Sequence, residues 1–238
     1  ISGVSFNSED TLTLYINDAA DQGVTVSVDP ISSVADMDIY EDHLIVRHEG
    51  TDPLTIGELA DWDSGNDGDV PFTATLGAPD TLSLPAAVTL YVWQNKEFAP
   101  GGDITLGSGS SGGSLEAATS STFTAVGSET HAIGGSLRFG AGATLAAADA
   151  SIDLTSSAAG ETIDINEGGI GNLTVSGSGA YTVSDPTLTL GGDLTISGGT
   201  LTLPSATTTV GGSLSNSATL NATSGTLIFD GSGSESIT

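Results

Sequence analysis

The sequence predicts an all-β protein, and three observations carry that prediction. Short segments in which apolar and polar residues alternate recur along the 238 residues, and a period of two is typical of half-buried strands. Clusters of glycine, aspartate and asparagine separate these segments, as turns require. A four-residue tag, Gly-Gly-x-Leu or Gly-Gly-x-Ile, returns in the second half. Helical periodicity is scarce, and only GELADW (57–62) suggests a helical turn.

In the first half of the chain, five segments have the composition of short strands. They are TLTLYI (11–16), GVTVSV (23–28), HLIVRH (43–48), TLSL (81–84) and VTLYVW (88–93). Turn signals at intervals of about 8–12 residues favour a sandwich of antiparallel sheets. We therefore expect a β-sandwich module over residues 1–100.

The composition changes near Pro100, beyond which glycine, serine, threonine and alanine dominate. The tag occurs at 101–104, 112–115, 134–137, 191–194 and 211–214, with a degenerate copy, IGNL, at 170–173. A repeat of about 20 residues is typical of solenoids. Within one repeat, DLTI, TLTL and TTTV each alternate between polar and apolar residues. The residues from 101 to 238 therefore predict a parallel β-helix, with three strands per coil and coils of about 20–22 residues. A longer internal alignment matches 143–164 with 218–238.

The charge and cysteine content exclude several classes of function. The formal net charge is −27 with only three lysine and arginine residues, so the chain repels nucleic acids and anionic membranes. Without cysteine it can form neither disulfides nor thiolate metal sites. No apolar run is long enough to span a bilayer. The composition is typical of secreted surface proteins, so we expect an extracellular or cell-surface location.

The acidic segment DWDSGNDGD (61–69) is the strongest candidate for a metal site. Its carboxylates are the hard oxygen ligands that Ca²⁺ prefers, and its glycines allow a sharp turn. The candidate ligands are Asp61, Asp63, Asp67 and Asp69. The EF-hand pattern fails because Phe72 stands where the glutamate would be. The alternative is a solvated turn closed by hydrogen bonds from aspartate side chains. No other cofactor is expected.

The second half lacks the residues that catalysis on polysaccharides requires, so we expect no enzyme. Such sites combine clustered carboxylates with a basic group, and beyond residue 100 the only basic side chains are Arg138 and His131. His43 and His48 flank one strand at a spacing that places them on opposite faces. Lys96 has two interpretations, an isopeptide bond or an ordinary salt bridge, and we favour the salt bridge.

Two phrases of the first half resemble immunoglobulin-like modules of bacterial surface proteins. LIVRHEGTDPLTI (44–56) is similar to one of their strand signatures, and YVWQNKEFAPGG (91–102) is similar to their closing strand. Followed by the tagged repeats, they make the chain resemble bacterial extracellular repeat proteins of the adhesin or S-layer type. The resemblance implies an immunoglobulin-like sandwich over 1–100 followed by the parallel β-helix.

The same resemblance implies a structural role, as a subunit or segment of an extracellular filament, stalk or layer. We expect self-association through the strand edge at the end of the solenoid, since unpaired edges must be covered. The alternative is an adhesin that binds a glycan or protein through Trp62, Trp93 and the aspartate-rich loop. A third alternative is an enzyme acting on polysaccharides.

Overall fold

The computed structural model of the chain describes Asn7 and residues 10–18, 20–30, 34–166, 168–222 and 224–238. Within that part the regular secondary structure is β-strand, apart from one short helix, α1 (Ile56–Leu59). The strands are β1 (Thr11–Tyr15), β2 (Val24–Val28), β3 (His43–His48), β4 (Thr73–Thr75), β5 (Asp80–Leu84), β6 (Thr89–Val92), β7 (Glu97–Phe98), β8 (Gly102–Leu106), β9 (Leu115–Ala117), β10 (Thr122–Thr124), β11 (Thr130–Ile133), β12 (Leu137–Phe139), β13 (Thr144–Leu154), β14 (Ala159–Asp164), β15 (Gly169–Val175), β16 (Ala180–Val183), β17 (Thr187–Leu190), β18 (Leu194–Ile196), β19 (Thr200–Thr202), β20 (Thr207–Val210), β21 (Leu214–Asn216), β22 (Thr219–Asn221) and β23 (Thr226–Phe229).

The strands form a parallel β-solenoid of about 10 turns, with three faces. Face 1 is the parallel run β2-β3-β6-β9-β12-β14-β16-β19-β22. Face 2 is β7-β10-β13-β15-β17-β20-β23, and face 3 is β5-β8-β11-β13-β15-β18-β21. The long strands β13 and β15 pass from face 2 to face 3, so they belong to both. The predicted three strands per coil are confirmed.

The solenoid is not confined to the second half. In face 1, β2, β3 and β6 pair in parallel with one another and then with β9. In face 3, β5 pairs in parallel with β8. Faces 1 and 3 therefore continue without a break past residue 100, where we expected a module boundary. An immunoglobulin-like sandwich is not shown, although all five strands and the helical turn expected for this half are present.

The core consists of inward side chains that stack from one coil to the next. On face 3, seven inward positions are in register, and all are buried. They are Leu82, Ile104, His131, Ile152, Leu173, Leu194 and Leu214. Small aliphatic residues fill this interior because each buries its surface on its counterpart in the next coil. The predicted inward ladder of leucine, isoleucine and valine is confirmed, with His131 as an exception.

The tag lies at a corner of the solenoid, but not always at the same one. Leu115 and Leu137, which end two of the tags, stack on each other in face 1. Leu173, Leu194 and Leu214, which end three others, stack in face 3. The internal alignment of 143–164 with 218–238 is therefore wrong. It equates the start of β13, in face 2, with β22, in face 1.

The variable residue of the tag links neighbouring coils through a side-chain hydrogen bond. Its side-chain oxygen accepts a hydrogen bond from the backbone N–H at the matching position one coil later. Asn172 accepts from Asp193 at 2.8 Å, Asp193 accepts from Ser213 at 2.7 Å, and Ser213 accepts from Ser236 at 3.1 Å. Backbone N–H groups at the corners, where the sheet ladder is interrupted, thus obtain acceptors. Asparagine, aspartate and serine occupy this position because each has a short side chain with an oxygen that can accept this hydrogen bond.

The glycine before that residue provides the space for this hydrogen bond. A Cβ at Gly192 would lie 2.2 Å from Oδ1 of Asn172, and a Cβ at Gly212 would lie 2.2 Å from Oδ1 of Asp193. Both distances are far below van der Waals contact. The second glycine of these tags is therefore required by the close approach of the neighbouring coil.

The first turns of the solenoid differ from the rest because antiparallel strands end both sheets there. Strand β1 pairs with β2 in antiparallel register, and β4 pairs with β5 in the same way. The coil between β3 and β6 is also long and contains α1 and the acidic segment 61–69. In α1 a capping box links Thr55 and Glu58, which satisfies two N–H groups at the helix start.

Candidate functional site

The acidic segment 61–69 forms a closed turn built around Asp63, which is 8% exposed. Its Oδ1 accepts the N–H of Gly65 at 2.8 Å, and its Oδ2 accepts the N–H of Ala74 at 2.9 Å. Its own N–H donates to the side chain of Asn66. Asp63 therefore fixes the loop and attaches it to β4.

The other three carboxylates contact the first strand and the segment that follows it. Tyr15 donates its hydroxyl proton to Asp67 at 2.8 Å, and the N–H of Asp18 donates to Asp69 at 2.9 Å. The hydroxyl of Thr11 donates to Asp61 at 3.2 Å. These bonds hold β1, the edge strand of its sheet, against the loop.

The hydrogen bond between Tyr15 and Asp67 shifts the pKa values of both side chains. The N–H of Asp69 and then the hydroxyl of Tyr15 lower the pKa of Asp67. The hydrogen bond to Asp67 is the main reason why the pKa of Tyr15 is raised. Both shifts favour an ionised Asp67 as acceptor.

The four candidate ligands do not converge on one point. Across the described residues, no group of three or more histidine, cysteine, aspartate or glutamate side chains is arranged to hold a metal ion. Each of the four carboxylates instead has a hydrogen-bond donor from the protein. The geometry matches the alternative of a turn closed by aspartate hydrogen bonds, and Ca²⁺ binding here stays a prediction.

Replacing Asp63 with alanine should lower the free energy of unfolding by about 2–4 kcal/mol, because two buried or half-buried N–H groups lose their acceptor. The matched control is Asp61→Ala, which removes a single exposed bond and should cost no more than about 0.5 kcal/mol. Urea unfolding of both variants measures the difference. Repeating it with Ca²⁺ tests the metal site. A Ca²⁺-dependent gain in the parent protein that Asp61→Ala removes would establish a metal site and contradict the purely structural role.

The basic residues singled out in the sequence have ordinary partners. Lys96 forms the expected salt bridge, with its Nζ 3.1 Å from Oε2 of Glu49. Arg47 also contacts Glu49. Burial alone would raise the pKa of Glu49, but hydrogen bonds from Arg47, Ser27 and Lys96 outweigh it and lower the pKa. These contacts form a charged cluster on the outer surface of face 1.

Arg138 pairs with Glu116 at 2.8 Å on a neighbouring coil of face 1. His131, by contrast, lies inside face 3 and is fully buried. The only two basic side chains of the second half are thus on the outside and the inside of the solenoid. Arg138 and His131 therefore do not share one surface of the solenoid.

His43 and His48 lie at opposite ends of β3 and on opposite faces, as expected. Leu44 and Val46 alternate into the core cluster and share the face of His48. His43 points outward and makes an edge contact with Tyr91 at 6.1 Å between ring centroids. No metal site joins the two histidines among the described residues.

An aromatic pocket lies on the outer surface of face 1. It contains Trp93, which the adhesin alternative named, but neither Trp62 nor the aspartate-rich loop lines it, and the pocket itself was not predicted. Its cavity measures about 290 Å³ and is lined by Asp36, Asp38, Tyr40, Tyr91, Trp93 and Gln94. The ring centroids of Tyr40, Tyr91 and Trp93 lie 5.9–6.4 Å apart. Tyr91 and Trp93 are two residues apart in VTLYVW, so their shared outward face was the one available signal.

A strap formed by residues 34–40 makes one wall of this pocket. The carbonyl of Asp38 accepts the hydroxyl proton of Thr25, and the carbonyl of Asp36 accepts a 2.8 Å hydrogen bond from Arg47. Ile45 is fully buried although it is not part of the inner core. The strap thus crosses the outer surface of β2 and β3, and brings two carboxylates and Tyr40 beside Tyr91.

No protein-family model matches the chain, and neither the search of curated proteins nor the search of solved structures gives a significant match. Among the described residues, no helix has the length and apolar character needed to cross a membrane.

Proposed function

We propose that the chain is a structural segment of an extracellular filament, stalk or layer, and that it assembles through the strand edge of its last coil. The observation that supports this proposal is the exposure of that coil's inward side chains. The solenoid supplies the rigid element, since each coil is hydrogen-bonded to its neighbours through parallel ladders.

On all three faces the last coil is less buried than the coil before it. In face 1 Leu201 is fully buried, while its partner Leu220 is only half-buried. In face 3 Leu214 is 6% exposed, while Ile237, which bridges to it, is 68% exposed. In face 2 Val210 is buried, while its partner on the last coil, Phe229, is only half-buried.

An end surface of this kind combines apolar side chains with the backbone edges of β22 and β23, the last strands of their sheets. Such edges template the addition of another strand. The opposite end differs, because β1 and β4 run antiparallel there. We therefore propose head-to-tail contact, in which the last described coil of one copy meets the first strands of the next.

The extracellular location is part of the proposal and is supported by composition. The chain has no cysteine, and its three cations give trypsin-like proteases few sites. The net charge of −27 keeps an exposed rod soluble through mutual repulsion.

The test is assembly of the purified chain, followed by light scattering and electron microscopy over a range of concentrations. We expect concentration-dependent polymers with a regular subunit repeat. The double variant Leu220→Lys/Ile237→Lys places two charges on the end surface and should stay monomeric. Circular dichroism verifies that it keeps its β-structure.

Ile228→Lys is the matched control. Ile228 lies on the last coil and is 42% exposed, but it points away from the interior, between inward-facing Leu227 and Phe229. This variant should assemble like the parent. A parent chain that stays monomeric at all concentrations, or equal inhibition by Ile228→Lys, would refute assembly through the end surface.

A further inference from the structure

The aromatic pocket on face 1 has the chemistry of a carbohydrate site, and we propose that it binds a neutral sugar unit of a glycan. This inference is independent of filament assembly, because the pocket lies on the side of the solenoid at β3 and β6, far along the stack from the last coil. The proposal rests on the hydrogen-bonding groups, the aromatic rings and the charge around one cavity.

The polar side chains that line the cavity make no hydrogen bonds within the described part of the chain. Within the described part of the chain, the carboxylates of Asp36 and Asp38, the hydroxyls of Tyr40 and Tyr91, the indole N–H of Trp93 and the amide of Gln94 make no hydrogen bond to the protein. Carboxylates accept, the indole donates, and hydroxyls and amides do both. Sugar hydroxyls also donate and accept, so this mixture suits a polyhydroxylated ligand.

A simple cation would use only part of this set. Cations bind carboxylates and the faces of aromatic rings, but they have no acceptor for the indole and amide donors. The guanidinium of Arg47 already packs over one face of the Trp93 ring, with its central carbon 5.4 Å from the ring centroid. The pocket chemistry thus favours a polyhydroxylated ligand over an organic cation.

The aromatic rings provide the apolar part of the surface. Ligand sites in proteins combine aromatic walls with a few polar groups that fix orientation. Tyr40 is 39% exposed at the edge of the cavity, where the C–H surface of a sugar ring can cover it. A cavity of about 290 Å³ accommodates one or two sugar units rather than a long chain.

The charge around the pocket excludes acidic sugars. Asp36 and Asp38 line it, and Glu116 pairs in register with Tyr91 on the next coil. Burial, and then the neighbouring Tyr40 and Glu116, raise the pKa of Tyr91, which agrees with a negative potential here. Arg47 cannot offset it for a ligand, because its guanidinium is bound by Glu49 and the carbonyl of Asp36.

The test uses Trp93 as its own reporter. The chain has two tryptophans, so Trp62→Phe leaves Trp93 as the only tryptophan, whose emission can be excited selectively, and Trp62 does not line the pocket. Titration with neutral glucose and N-acetylglucosamine oligomers should give a saturable change in emission, with a dissociation constant on the order of 1 mM. Oligogalacturonate and tetramethylammonium, the acidic and cationic probes, should give none at the same concentrations.

Tyr40→Ala in the same background should weaken binding at least about tenfold, as measured by saturation-transfer NMR. If that variant misfolds, Gln94→Ala at an exposed position replaces it and should weaken binding several-fold. Failure of every neutral oligomer to bind, equal binding of oligogalacturonate, binding of tetramethylammonium alone, or unchanged affinity in the folded variants would each overturn the proposal.

Discussion

Replacing His131 with leucine should raise the free energy of unfolding at neutral pH by about 1–3 kcal/mol, because it removes an unsatisfied buried polar group. His131 is fully buried in the inward stack of face 3, between Ile104 and Ile152. Neither ring nitrogen has a hydrogen-bond partner among the described residues. Leucine occupies the same stack position in later coils, so the site accepts it without a change of register.

The surroundings of His131 explain why it stays uncharged. Its nearest carboxylate oxygen, Oε2 of Glu129, is 3.6 Å from Nε2, which is too long for a hydrogen bond. Its ring also makes an edge contact with Phe123 at 5.4 Å between centroids. Burial lowers the pKa of His131 to about 4, although Asp103 acts in the opposite direction.

The same shift predicts a pH dependence of stability. The unfolded chain takes up a proton on this histidine near pH 6.5, whereas the folded chain does so only near pH 4. The contribution of His131 to the free energy of unfolding is therefore unchanged above pH 6.5. It falls as the pH drops towards 4, by up to about 3 kcal/mol. Burial raises the pKa of Glu129, and that shift works in the opposite direction, because the folded chain binds this proton more readily than the unfolded chain.

Urea unfolding between pH 7.5 and 4.5 measures both effects. His131→Leu should be more stable than the parent at every pH and should lack the loss between pH 6.5 and 4.5. His131→Gln separates the two causes, because it keeps a buried polar side chain but cannot titrate. It should show no gain at pH 7.5, and on acidification it should lack the part of the loss that is due to the histidine. A leucine variant that is less stable than the parent would mean that the imidazole has a partner.

The solenoid of the second half was predictable because its signals are local. Alternation within segments such as DLTI and TTTV identifies strands, and Leu173, Leu194 and Leu214 repeat at nearly constant spacing. The start of the solenoid was hidden because its early coils are irregular. Leu44 and Leu90 are neighbours in face 1 although they are 46 positions apart in the sequence. A coil interrupted by a helix and an acidic loop has no period for the sequence to show.

For the acidic loop and the aromatic pocket, too, the sequence predicts the local features and misses the long-range contacts. The acidic loop could be located from composition, but its partner strand could not, since the bond between Tyr15 and Asp67 joins residues 52 positions apart. The outward pair Tyr91 and Trp93 follows from alternation alone. Tyr40 has no such pattern, because it reaches the pocket on a strap held by backbone carbonyls. Contacts of this kind depend on the path of the backbone and not on residue type.

Gly112→Ala should cost about 3 kcal/mol or more, because the new methyl group would meet the backbone of another coil rather than a movable side chain. A Cβ at Gly112 would lie 1.6 Å from the carbonyl oxygen of Gly134. A Cβ at Gly134 would in turn lie 1.9 Å from the carbonyl oxygen of Gly107. The corner is thus closed from both sides, and relief requires that two coils separate.

Gly233→Ala is the control, since a Cβ there has no atom within 4 Å, and it should change stability by no more than about 0.5 kcal/mol. Thermal and urea unfolding of the two variants measure the contrast. Similar small costs for both would show that the coils at this corner are loosely stacked. A large loss at Gly112 alone would show that glycine at this corner is needed for close packing of the coils. The glycine-rich composition of the second half would then be a requirement of its packed core.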